Sequence, residues 1–443
     1  MKTIISSFAL VIFLSISTVI AASKPNVILI MTDDMGAEGL GSYGSTIYTT
    51  PHLDRMAEEG VRFNNAYATP LCTPTRVMIM SGLYPNRTGF RNLIYKGKGA
   101  RMHANIKTFG NYFRDAGYET AIAGKWQLGQ FNDYPNQPVE HGFDEYSLWT
   151  WVYNKEKSSR FYSPQIYTNG EIFNGTEKDY GPDFYSKFVL DSIDKNKDKP
   201  FFIYFPMALV HYPFVHPPKL EELARTKFTD DMEESEVAFG HMITYMDDIV
   251  GKIMKRLKDH GIDNNTLLIF TGDNGTLKSI KSKLPGMDLM GGKGSLSEAG
   301  CRVPFLAWWP GRIKPAVQDE LFSLVDVLPT ITSLAGIELT AKVDGMDLSH
   351  NLFGEEGKNR EYIKMNYKKG FFVRDKRFRL HEDGKFYDIP VTSDKERYSE
   401  KLSDNPEHES RRKQLQTVLD EFMAIEQEYG SKAKKNKAKQ SKE

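Results

Sequence analysis

Short, almost uninterrupted apolar runs, each followed by polar residues, constrain this chain more than any other feature. They lie at Asn26 to Thr32, Glu119 to Ala123, Phe201 to Phe205, Leu267 to Thr271 and Phe305 to Trp309. A strand that is apolar at successive positions must be covered on both faces, so these runs read as buried strands. Between them lie helical patterns, clearest where Met242, Met246, Ile249, Ile253 and Leu257 recur at three- and four-residue spacing. Strands alternating with helices imply an α/β fold with a mostly parallel, doubly wound sheet. After Asn359 the pattern changes. Alternating runs such as GFFVRDKRFRLHEDGKFYDI read as an antiparallel hairpin or meander, followed by an amphipathic helix with Leu415, Val418, Leu419, Phe422 and Ile425 on one face. The expected organisation is an α/β domain over 23–358, a smaller C-terminal α+β subdomain over 359–430, and a disordered basic tail over 431–443.

The first residues, MKTIISSFALVIFLSISTVIAAS, combine one lysine, an apolar run broken by serines, and small residues at Ala21, Ala22 and Ser23. That is a signal-peptide pattern, with cleavage expected near Ala22 and export to a periplasmic or extracellular compartment. The run falls short of the roughly 20 apolar residues a span needs, so no stable membrane anchoring is expected. Lysine plus arginine equals aspartate plus glutamate at 58 each, which leaves no global field to recruit nucleic acid. Cys72 and Cys301 are the only cysteines. The surroundings of Cys72 argue against a disulfide, and Cys301 reads as a small core residue.

In open α/β sheets ligands bind beyond the carboxyl ends of the strands, so polar residues just after each strand converge there. Asp33 and Asp34 follow the first run, Lys125 the second, His211 the third, and Asp273 with Asn274 the fourth. Any one of them alone reads as a turn residue. Together, three carboxylates and an amide oxygen form an all-oxygen ligand set that suits Ca²⁺ or Mg²⁺ rather than zinc. Cys72-Thr-Pro-Thr-Arg76 reads as a helix start with Pro74 near its first position, and the positive end of a helix is a suitable place for an anion. Arg76 lies one turn on and faces the same way.

These residues carry a resemblance. Cys72-Thr73-Pro74-Thr75-Arg76 with Ser81-Gly82 matches the C-x-P-x-R signature of the type I formylglycine-dependent sulfatases of the alkaline phosphatase superfamily. TPHLDRMAEEGVRF, GKWQLG at Gly124 to Gly129, His211-Tyr-Pro213, TGDNG at Thr271 to Gly275, GGKGSLSEAGCRVP around Lys293, and GKFYDI extend the resemblance from about Asn26 to Asp388. It implies an alkaline phosphatase-like fold and a maturation enzyme that oxidises Cys72 to formylglycine, whose hydrate is the nucleophile. It also implies calcium held by Asp33, Asp34, Asp273 and Asn274, Arg76 on the hydrate, Lys125 and Lys293 on sulfate oxygens, and His211 as the acid for the leaving alcohol. One position departs from the pattern. Most relatives carry GKWHLG, whose histidine helps release sulfate; here the residue is Gln127, which can hydrogen-bond but cannot take a proton at neutral pH.

The resemblance to bacterial polysaccharide sulfatases implies a sulfated carbohydrate as substrate, with an algal galactan such as carrageenan as the narrowest reading. Phosphonate monoester and phosphodiester hydrolases of the same superfamily are the alternative chemistry, and a non-catalytic sulfated-glycan binding protein is the alternative suggested by Gln127. For specificity, Arg87, Arg91, Lys96, Lys98, Arg101 and Lys107 are candidates for a basic groove, and Trp149, Trp151 and Tyr153 for sugar stacking. Both stretches read equally well as a solvated loop and a half-buried strand.

Overall fold

The structure, a computed structural model, describes residues 24–94, 101–154, 156–218, 232–391 and 393–440, with side chains of the last helix described to Ile425. The expected leader over 1–22, Lys96, Lys98 and the last three residues lie outside the described residues.

Each apolar run forms a strand, and polar-faced segments add others. In chain order they are β1 (Asn26–Thr32), β2 (Val61–Tyr67), β3 (Glu119–Lys125), β4 (Glu145–Trp149), β5 (Gln165–Thr168) and β6 (Glu171–Asn174). β7 (Phe201–Pro206), β8 (Thr266–Gly272), β9 (Phe305–Trp308) and β10 (Ala316–Ser323) follow. They form one sheet in the order β10-β2-β9-β8-β1-β7-β3-β4-β5-β6. The run β8-β1-β7-β3-β4 is parallel throughout, and antiparallel pairs flank it on both sides. Parallel strands end on one edge, so Thr32, Lys125, Pro206 and Gly272 all lead towards the same rim.

Alternation along β1 divides the core in two. Val27, Leu29 and Met31 face one side with Val77, Met78, Ile79 and Met80 of helix α1 (Cys72–Ser81), whereas Ile28 and Ile30 face the other. That second side is covered by α2 (Gly181–Asn196) and α3 (Glu234–Asp259), which bring Val189, Ile193, Met242, Met246, Ile249, Ile253 and Leu257. Burying one such aliphatic side chain is worth about 1.5–3 kcal/mol, so covering both faces of the sheet dominates its stability. It also holds the strand ends rigidly.

The C-terminal part is the expected meander. Strands β11 (Ile363–Tyr367), β12 (Gly370–Arg374), β13 (Phe378–His381), β14 (Phe386–Asp388) and β15 (Lys401–Leu402) pair antiparallel in sequence order. Helix α4 (Glu409–Gln440) crosses it with Leu415, Leu419 and Phe422 fully buried. The backbone helix runs through Gly430, where the sequence reading began a disordered tail. Alanine and lysine sustain a helix well, and a single interior glycine costs only about 1 kcal/mol. Glu298 ties the two parts together: it accepts from Tyr67 at the end of β2 at 2.9 Å and pairs with Arg374 and Arg379 of the meander, all buried.

Candidate active site

Register sets the site's first contacts. Thr32 lies opposite Gly272 in the parallel pair β1–β8, so Asp33 and Asp273 leave the sheet side by side. The Asp33 N–H donates to the Leu209 carbonyl at 2.7 Å, and Val210 N–H donates back to Asp33 at 2.8 Å, which brings in the segment after β7 that carries His211. Asp34 then turns with φ 60°, a left-handed conformation that aspartate tolerates better than most residues. Its N–H donates to Asp273 Oδ1 at 3.1 Å, and its Oδ1 accepts from Asn274 Nδ2 at 2.9 Å. Gly275 is required next, because a Cβ there would lie 1.8 Å from the carbonyl oxygen of Ala299, in the short helix Glu298–Cys301 that follows the Lys293 loop.

Helix α1 begins at Cys72 itself, so Pro74 is its third residue rather than its first, still within the turn where a missing N–H costs nothing. Leu71 at the N-cap provides no side-chain cap, which leaves the positive end of the helix to whatever faces it. At the other end Gly82 adopts φ 65° and donates to the Met78 carbonyl at 2.9 Å, closing the helix. The Ser-Gly half of the signature therefore ends the helix that its cysteine half begins.

The charges interlock. Lys125 Nζ sits 2.5 Å from Asp33 Oδ2, and Lys293 Nζ 2.6 Å from Asp34 Oδ2. Arg76 donates to Asp273 Oδ2 at 2.9 Å and to the Lys125 carbonyl at 2.8 Å, and lies 3.7 Å from Asp33 Oδ1. Burial opposes ionisation of Asp33, but the cations Lys125, Arg76 and Lys293 hold its carboxyl well below the usual range. Asp273 goes the other way: burial and the neighbouring Asp33 carboxylate push it up to about 7. Burial pushes the Cys72 thiol up. His211 is pushed down to about 3, again by burial, so its ring is neutral here. Its Nδ1 lies 2.5 Å from the Tyr212 carbonyl, which only accepts, so Nδ1 carries the hydrogen and Nε2, 3.4 Å from Asp34 Oδ2, is the nitrogen free to exchange a proton.

Asp33 Oδ1 and Asn274 Oδ1 are buried with no hydrogen-bond partner. Two orphaned acceptors among crowded carboxylates fit a hard divalent cation, which would satisfy both and remove the repulsion that raises Asp273. One ligand atom each from Asp33, Cys72 and Asp273 lie within 4.8 Å of one another, so such a cation and residue 72 would share one centre.

A cavity of about 450 Å³ opens over this centre, lined by Cys72, Gln127, His211, Lys293, Trp151, Lys157 and Arg160 among others. Gln127 is held at φ 51°, with its Oε1 buried and without a hydrogen-bond partner. Asp33, Asp34, Cys72, Arg76, Lys125, Gln127, His211, Asp273, Asn274 and Lys293 thus converge. Arg160 was missed: its Nη1 lies 3.5 Å from Asp33 Oδ2, and its guanidinium packs 4.1 Å from the ring centre of Trp149. No motif marks it, and the only signal is a basic residue shortly after an aromatic run.

Among the described residues the basic groove does not form. Arg87 pairs with Asp344 at 2.6 Å, Arg101 with Glu140 at 2.8 Å, Lys107 with Asp115 at 2.9 Å, and Arg91 lies over Phe371. These side chains serve local ion pairs and packing. Of the aromatic candidates, Trp149 is buried behind Arg160, Trp151 lines the cavity, and Tyr153 packs on the core. Cys72 and Cys301 are both buried and free.

Comparison with known proteins agrees with this geometry. The sulfatase family model matches residues 25–337. The chain is 31% identical over 393 residues to arylsulfatase A of Bos taurus, covering 82% of this chain and 75% of that one. It is 28% identical over 415 residues to N-acetylgalactosamine-6-O-sulfatase of Bacteroides thetaiotaomicron, covering 77% and 79%. The crystal structure of Ps i-CgsB in complex with k-i-k-neocarrahexaose superposes with a TM-score of 0.78 at 25% identity, over 91% of this chain and 93% of that one. Because the family match spans the strands, the Cys72 helix and the Lys293 loop that build the site, the chain belongs to the sulfatase family, as a type I sulfatase and hence a sulfuric ester hydrolase.

Proposed function

We propose that this protein is exported and removes sulfate from a sulfated carbohydrate, a polysaccharide or its oligosaccharides, using formylglycine made from Cys72 and a calcium ion held by Asp33, Asp34, Asp273 and Asn274. The observation that carries the reading is Cys72 at an uncapped helix start, within 4.8 Å of Asp33 and Asp273 and open to a cavity rimmed by Lys293 and His211. The relatives' sugars, N-acetylgalactosamine and a carrageenan oligosaccharide, support a carbohydrate, and an algal galactan is the narrowest version.

Formylglycine would supply, as its hydrate, an oxygen nucleophile that a thiol cannot, and the cation would act as a Lewis acid on the sulfate. Arg76 and Lys125 fix Asp273 and Asp33, and with Lys293 they concentrate positive charge where the anion must sit. One oxyanion contact is worth about 3–4 kcal/mol, so several must converge to make so slow a hydrolysis fast. His211 presents Nε2 to the cavity, and a sulfate beside it raises its affinity for the proton that the leaving alcohol takes up. The test is sulfate release from defined sulfated oligosaccharides by protein whose conversion at residue 72 has been checked by mass spectrometry, with p-nitrophenyl phosphonate alongside. Turnover of sulfated sugars with little of the phosphonate is expected; the reverse preference would favour phosphonate monoester hydrolysis.

Gln127 makes a kinetic claim within this reading. Its unpartnered Oε1 can accept from a hydroxyl on residue 72 but cannot remove a proton. A positioned base typically contributes about 10²–10⁴ in rate, so release of sulfate from residue 72 becomes the slow step. Rapid mixing should show a burst of desulfated product and then a slower steady state, and Gln127→His should weaken the burst. A linear time course would show that release does not limit turnover. His103 and His216 do not substitute for the missing base: neither lines the cavity, His103 packing near Phe90 and His216 against His241 and Glu234.

A further inference from the structure

Arg160 is an expensive residue to keep where it is. It is only 6% exposed, and its single hydrogen bond among the described residues is the 3.5 Å contact to Asp33 Oδ2. That oxygen is already taken by Lys125 at 2.5 Å, so Arg160 is not the main counterion of Asp33. A buried charge this weakly paired destabilises a fold unless something else repays it. The flat side of the guanidinium packs on Trp149, which orients it and leaves its remaining donors to the cavity.

A second cation stands on the same wall. The short hairpin Val152–Tyr153 and Glu156–Lys157 pairs Val152 with Lys157, and both line the cavity. Lys157 is exposed and forms no ion pair among the described residues. Trp151, also on this wall, presents an indole ring to the cavity. Lys125 and Lys293, in contrast, are bound to Asp33 and Asp34 around residue 72. Arg160 thus continues the row of cations from Asp33 outwards onto the wall that carries Trp151 and Lys157.

We propose that Arg160 and Lys157 bind a second anionic group of the carbohydrate, a sulfate or a carboxylate, next to the sulfate that is cleaved. This deepens the function proposed above and rests on it: the substrate class becomes a sugar segment carrying two neighbouring negative charges. Arginine suits the role because its planar fork holds an oxyanion bidentately, while the exposed Lys157 contributes a mobile point charge at the mouth.

The test uses the mature protein with conversion at residue 72 verified. Matched sulfated disaccharides would differ only in whether the adjoining position carries nothing, a second sulfate, or a uronate carboxylate. The wild-type protein should prefer one of the doubly charged sugars, and which one identifies the anion. In Arg160→Gln the ratio of kcat/KM on the preferred sugar to that on the singly charged sugar should fall by about 10- to 100-fold, the range of a charge-assisted hydrogen bond, mainly through KM. Lys157→Met, at an exposed position where folding is not at risk, should lower the same ratio by about 3- to 10-fold, as a weaker exposed contact would. A ratio unchanged in both variants, or a wild-type protein indifferent to the second charge, overturns the proposal while leaving the sulfatase reading intact. Absence of turnover on every sulfated sugar would instead remove the reading on which it rests.

Discussion

Cys72→Ala is expected to fold as the wild type does and to release no measurable sulfate. The Cys72 side chain is 2% exposed and makes no hydrogen bond among the described residues, so alanine gives up little more than one buried sulfur, worth about 1 kcal/mol. Helix α1 remains held by Val77, Met78, Ile79 and Met80, all fully buried, and by its Gly82 cap. Its catalytic cost is of another order. Loss of a nucleophile removes about 10⁴- to 10⁶-fold in rate in enzymes that depend on one. Mass spectrometry of the wild-type tryptic peptide should find an aldehyde at position 72. A fully active preparation containing only intact cysteine there would end the formylglycine reading, whatever the variant does.

Removing the cation should have the second largest effect. Activity should fall by at least about 100-fold on exhaustive chelation and return with Ca²⁺, since one preorganised electrostatic contact to the reacting oxyanion is already worth about 10²–10³. Stability should respond too. Asp33, Asp34 and Asp273 are fully buried together, and a cation that binds only the folded state raises the melting temperature as its concentration rises. Asp273→Asn is the cleaner variant, because its amide oxygen can still accept from Arg76, which Asp273→Ala would leave without its 2.9 Å partner. The asparagine variant should lose both the activity and the calcium-dependent thermal shift. Metal-free protein that keeps full activity would show that the ligand assignment is wrong. A thermal shift with Mg²⁺ but not Ca²⁺ would change the ion and keep the site.

Much of this was written in the sequence because strand ends and site residues are adjacent in the chain. An apolar run as short as NVILIMT, bounded by turn residues, reads as a buried strand, so the Asp-Asp pair that follows it is expected at the rim; the same logic holds for LLIFT and Asp273-Asn274. Strands whose outer faces are polar escaped. VRFNNAY and AVQDELFS became β2 and β10 because they pair with each other near one side of the sheet, and their alternation gives no continuous apolar run to notice.

Composition and local pattern therefore determined the α/β class and the rim at which chemistry gathers, since each depends on residues a few positions apart, and the resemblance carried by the Cys72 motif implied the members of the charge cluster around it. Which basic residues remain open to the cavity was decided only in three dimensions. Arg87, Arg101 and Lys107 look like a groove in sequence, yet each meets an acidic partner that folding supplies, Asp344 from 257 residues away in the case of Arg87. Arg160 looks like an ordinary surface arginine, yet folding stacks it on Trp149 and brings it to Asp33, 127 positions earlier in the chain. The physical reason is the same in both cases. A charge is spent or kept by the desolvation and the counter-charge it finds at a distance, and sequence proximity carries no record of either.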